Sequence, residues 1–125
     1  SSPGAPALGV IGEPWYNPYG DCIHFQAEEC AYFGERIDEF LTIFRHHEDR
    51  RPIGFRIKGV RALLDKLPIE GIKVDAEVAE KTLKRVSLSL LLLIAYKQSS
   101  QNSARTLGYA EAIKTRHEDE ILVAS

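Results

Sequence analysis

The 125-residue chain has no methionine, a single tryptophan and only two cysteines. Cys22 and Cys30 do not make a disulfide framework, and a chain of this length needs none, because folding buries about two-thirds of its unfolded surface. Reduced thiols and a cytoplasmic location are therefore expected. Net charge is small, 16 bases against 18 acids, which excludes a chain whose main task is to coat nucleic acid or an anionic membrane. Long apolar runs are missing too. The richest, "VSLSLLLLIAY", falls short of the roughly 20 residues that span a bilayer, and Lys84, Arg85 and Lys97 bracket it. The opening "SSPGAPALGV" has neither the basic start nor the apolar stretch of a signal peptide, and without an initiator methionine it reads as a processed or artificial start. Catalytic signatures are also lacking: there is no glycine-rich phosphate loop, no dinucleotide fingerprint and no serine in a nucleophile elbow.

The chain does have the composition of an ordinary globular domain, 44% apolar and 27% charged. Its charge is segregated. Residues 21–44 hold six acids against Arg36 alone, whereas 45–66 hold seven bases against Glu48, Asp49 and Asp65. On neighbouring strands these charges would face one another across the wet side of a sheet. Residues 1–20, with four prolines and four glycines, read as an irregular arm whose end, "EPWYNPYG", packs its aromatic rings on the domain or on a partner.

From Asp21 the pattern alternates with period two. "DCIHFQ" sets Ile23 and Phe25 on one side and Cys22, His24 and Gln26 on the other. "AYFGERI" reads as a second strand. "EFLTIFRH" is a third, apolar on both faces and so in need of cover on both, and "IGFRIKGV" is a fourth. A short helix with Val60, Leu63, Leu64 and Leu67 at helical spacing follows, stopped by Pro68. With Asp75 as N-cap, Ala76 to about Tyr96 reads as a long helix, all-round apolar in its second half and buried on several sides. Ser103 caps a last helix through "ARTLGYAEAIKTRH", and "ILVAS" is an apolar tail. The expected fold is α+β: an antiparallel β-meander of about four strands over residues 21–59, then two to three helices packed on the sheet within a mainly helical 60–125.

Three sets of residues are candidates for function. Adjacent His46 and His47 cannot grip one ion from a strand, but Cys22, His24 and His46 would converge if the first and third strands paired, as a metal-dependent enzyme would require. A second set is basic: Arg50, Arg51, Arg56, Lys58 and Arg61 form a row suited to phosphates, with Phe44 or Phe55 to stack on bases. Third, Leu90, Leu91, Leu92, Leu93, Ile94 and Tyr96 offer more apolar surface than one chain hides, which predicts a homodimer. No catalytic residues assemble and no cofactor is implied. Glu28 and Glu29 are adjacent rather than set across a cleft, and the acids before Cys30 raise its thiol pKa.

Taken together, "YNPYGDCIHF", "GERIDEFLTIF" and "RPIGFRIKGV" resemble a group of small bacterial domains of unknown function. The matching residues are Tyr16 or Tyr19, Asp21, Glu35, Asp38, Gly54 and Ile57, over about residues 16–60, with "EDRRP" in place of the usual Asp-Gly turn. The resemblance implies a β-meander with no assigned activity. The leading expectation is a non-enzymatic interaction or regulatory domain, homodimeric and open to a protein partner, with no membrane association. Nucleic-acid binding and metal-dependent catalysis are the alternatives.

Overall fold

The computed structural model describes residues 11–67, 72–78, 81–98, 103–115 and 120–124. Alternation in the first half produces strands β1 (Trp15–Asn17), β2 (Cys22–Gln26), β3 (Tyr32–Arg36), β4 (Leu41–His46) and β5 (Pro52–Lys58). They form one antiparallel sheet in the order β1-β2-β5-β4-β3. Strands β3, β4 and β5 follow one another as a meander, and β2 closes on the far side of β5, which gives the group a Greek-key order. Register places Ile23, Ile57 and Leu41 in one cross-strand row and Phe25, Phe55 and Ile43 in the next. All six side chains are 0–2% exposed. Burial of each contributes about 1.5–3 kcal/mol, so these two rows alone hold the sheet to whatever covers it.

The cover is helical: α1 (Val60–Leu64), α2 (Leu88–Gln98) and α3 (Ser103–Thr115). Helix α1 begins at Gly59, whose φ of +68° suits a residue without Cβ. Asp21, from the turn between β1 and β2, accepts the Arg61 N–H at 3.1 Å and the Tyr16 hydroxyl at 2.7 Å, so one carboxylate ties the first hairpin to the helix. Burial first, and then this bond, push the Tyr16 pKa up to about 12. In α3, Gly108 permits close approach: a Cβ there would lie 2.8 Å from the side chain of Ile37. The glycine that weakens the helix in isolation is what lets it seat against the sheet.

Two expectations are corrected. Trp15–Asn17, assigned by composition to an irregular arm, is a strand paired with β2; residues 1–10 of that arm lie outside the described residues. The long helix from Ala76 is instead a hairpin, β6 (Ile72–Val78) with β7 (Lys81–Ser87), and β8 (Glu120–Ala124), the apolar tail, pairs with β7 to complete a three-stranded sheet. Asp75 falls at a register shift inside β6 rather than at the start of a helix. The physical reason is the spacing of β-branched Ile72, Val74 and Val78, which fits a pleated strand as readily as a helix. Among the described residues no helix is long and apolar enough to cross a membrane.

Candidate functional site: the outward face and free edge of the large sheet

Helices cover one face of the five-stranded sheet. On the other face the registers align Trp15, His24, Arg56, Thr42 and Arg36 in one row, with Phe44 between Gly34 and Gly54 in the next. Rings run across it in contact: Trp15 to His24 at 5.5 Å, His24 to Phe44 at 4.8 Å, and Phe44 to Tyr32 at 5.0 Å, each pair tilted. Phe44 is 3% exposed beneath these neighbours, while Tyr32 at the margin is 42% exposed. Strand positions on this face carry no carboxylate. The half-buried Arg56 guanidinium lies 6.0 Å from the Phe44 ring centre, and its buried Nε has no hydrogen-bond partner among the described residues. Burial, then the positive charge of Arg56, lower the His24 pKa, so that ring stays neutral at pH 7. At Cys22 burial raises the thiol pKa more than Arg56 lowers it.

The edges of this sheet differ. β1 is three residues long, and β8 lies beside it. β3 is longer, pairs among the described residues only with β4, and is exposed at all five positions, with Tyr32 at 42% and Phe33 at 38%. Beside it is a depression of about 210 Å³ lined by Glu35, Ile37, Arg45, Leu107 and Glu111. Arg45 sits at its base, with Nε on Glu35 at 2.7 Å and the other guanidinium nitrogens on both oxygens of Glu111. The Glu111 bond is the main cause of an Arg45 pKa above its ordinary value, and in turn Arg45 holds Glu111 below the usual carboxylate range.

A second polar group is sealed inside. Asp38 and Arg105 side chains are 4% and 3% exposed. One Asp38 oxygen accepts the Phe40 and Leu41 N–H groups at 2.8 Å and shapes the turn between β3 and β4. The other accepts Arg105 Nε at 3.0 Å and the Tyr109 hydroxyl at 2.8 Å. Arg105 also donates to the Tyr96 carbonyl at 2.6 Å and lies over both the Tyr96 and Tyr109 rings. Burial alone would raise the Asp38 pKa; its four donors outweigh burial and hold it below the ordinary value. Burial, then the bond to Asp38, push Tyr109 well above the usual phenol range. This group clamps α2 and α3 to the sheet and presents nothing to solvent. No sequence pattern flagged Asp38 with Arg105; the signal available was an arginine on the face of α3 that also carries buried Tyr109.

The sequence-predicted sets are dispersed. Cys22 and His24 are on β2, and His46 is on β4, with β5 between them, so the first and third strands do not pair and the three donors do not meet. His46 instead joins Glu28 and Cys30. The basic row divides: Arg51 is held by Asp49 and Glu28, Arg50 lies over Phe33, and Arg61 is at the start of α1, leaving Arg56 and Lys58 on the outward face. Phe55 is in the core. Of the expected dimer residues, Leu91 and Leu92 are 0% exposed within their own chain and Leu90, Ile94 and Tyr96 are half-buried, while Leu93 is 42% exposed. Leu93, Tyr96 and Ile113 line an apolar groove of about 220 Å³ between α2 and α3.

Compared with family models, curated proteins and solved structures, the chain matches none.

Proposed function

We propose that the protein is a non-enzymatic interaction domain that forms a homodimer through the free edge of β3. The observation that carries this reading is a five-residue edge strand, exposed throughout and bearing two aromatic rings, with no proline, lysine or bulge to blunt it. Its sequence is self-complementary. Antiparallel pairing of β3 with a second copy about Gly34 sets Tyr32 opposite Arg36 and Phe33 opposite Glu35. Registers centred on Glu35 or Arg36 would oppose like charges. The same pairing brings the second copy's Phe33 beside Glu35, at the depression next to Leu107. Main-chain bonds then supply affinity and side chains fix register.

Native mass spectrometry and sedimentation on the full chain test this. A dimer is expected, weakened at least about tenfold by Phe33→Lys and unaffected by Leu93→Lys. A monomer, or a dimer lost with Leu93→Lys and kept with Phe33→Lys, removes the reading; the second result would assign assembly to the α2 and α3 groove.

A second reading, binding of single-stranded nucleic acid, is favoured by the absence of carboxylates from the strand positions of the outward face and by Arg56, which forms no ion pair among the described residues. Phosphates would meet Arg56 and Lys58 while Tyr32 and Trp15 stack on bases. Trp15 is the sole tryptophan, so its fluorescence reports binding directly. The expected result is quenching by an oligonucleotide that weakens steeply with salt and falls several-fold in Arg56→Gln; quenching insensitive to salt would remove nucleic acid from consideration.

A further inference from the structure

Among the described residues one group of metal-ligating side chains converges. Glu28, Cys30 and His46 bring a carboxylate oxygen, a thiol sulfur and an imidazole nitrogen within 4.8 Å of one another, all three residues half-buried. We propose that these residues form a binding site for a divalent ion of the zinc class, with water in the fourth position. Sulfur with imidazole selects late first-row ions over magnesium or calcium, and a mixed set of three protein ligands suits a tetrahedral ion with one open position. Metal bonds of about 2.0–2.3 Å put tetrahedral donors about 3.5 Å apart, so the site needs a small inward rotation of side chains and no movement of the fold.

The backbone that bears the ligands is already fixed. Ala27 N–H donates to the Ile53 carbonyl at 2.7 Å, His46 N–H to Arg51 at 2.9 Å, and His47 N–H to Ala31 at 3.0 Å. Gln26 Nε2 donates to the Glu28 carbonyl at 3.0 Å. These bonds tie the segment before β3 to the end of β4, which is why residues 18 positions apart share one spot. In the metal-free protein the thiol stays protonated, its pKa raised by burial and by Glu28, and Glu28 holds Arg51. When the ion enters, the Cys30 proton leaves to solvent as the sulfur–metal bond forms, and Glu28 exchanges Arg51 for the metal. Arg51 retains Asp49, 2.8 Å away. Ligation through His46 Nε2 moves the ring proton to Nδ1, which gives up the Glu48 N–H, 3.1 Å away, and turns to Asp49 Oδ1, at 3.8 Å. A carboxylate behind a ligating histidine orients the ring and raises its basicity. None of this depends on β3 pairing.

The test uses the full chain stripped by a chelator and titrated with cobalt and then with zinc. One cobalt per chain is expected, with a thiolate-to-cobalt charge-transfer band that zinc abolishes. Cys30→Ser should remove the band and lower zinc affinity more than about tenfold, and His46→Ala should lower affinity similarly. Cys22→Ser and His24→Ala should leave both readings unchanged. A chain that gives no band, or a band that survives Cys30→Ser or is lost in Cys22→Ser, overturns the assignment.

Discussion

Two arginines on opposite faces of the five-stranded sheet meet opposite surroundings. On the helix-covered face Arg105 is 2% exposed, and a carboxylate, a carbonyl and two tyrosine rings answer its charge. On the outward face Arg56 is half-buried over Phe44, and among the described residues no carboxylate pairs with it. A charge withdrawn from water and left alone is costly, whereas one set against a buried carboxylate fixes a geometry. Arg105 thus belongs to the fold, whereas Arg56 forms no ion pair among the described residues.

The most forceful way to break that comparison is Arg105→Ala. It leaves the Asp38 carboxylate buried without its cation, and the expected loss is about 3–5 kcal/mol in a urea unfolding curve. A loss under about 1 kcal/mol would mean that the clamp does not secure the helices. Acid tests the same group more gently. Asp38 and Glu111 have pKa values below their ordinary 3.8 and 4.5, so their contribution to stability is complete above those values and disappears as pH falls through the lower folded ones. The urea midpoint should therefore drop as acid is added below the ordinary carboxylate range, and Asp38→Asn should flatten that drop. The smallest effect sharpens the contrast: Arg56→Gln should change stability by no more than about 0.5 kcal/mol, because it removes no ion pair. A large loss in this variant would make the outward face structural after all.

Where side chains alternate, the fold could be read directly. Ile23 with Phe25, and Phe55 with Ile57, point inward as their period-two spacing requires. The strand around Phe44 does have both faces covered, but His24, Tyr32 and Arg56 of its own sheet supply the second cover. A second subunit is not needed there. The leucine run misleads for another reason. Leu88, Leu91, Leu92 and Ala95 form an ordinary helical stripe at 0% exposure, yet identical neighbours on every side erase the period that would reveal it. Strand β7 ends at Ser87, one residue before that stripe, and composition does not mark the change from pleat to helix. The candidate sites were less legible still, because pairing decides them. Arg45 and Arg51 are taken up by Glu35, Glu111, Asp49 and Glu28. Which base remains unanswered, and which donors meet His46, depends on β2 choosing β5 as its neighbour.

The turn at Asp38 also sets a timetable for the ribosome. Its carboxylate can organise the Phe40 and Leu41 amides as soon as that segment emerges, but Arg105 and Tyr109 follow 67 and 71 positions later. Until they arrive, the nascent chain must keep this carboxylate in water and the apolar face of its sheet uncovered, so the sheet waits for the synthesis of α3 before it can close.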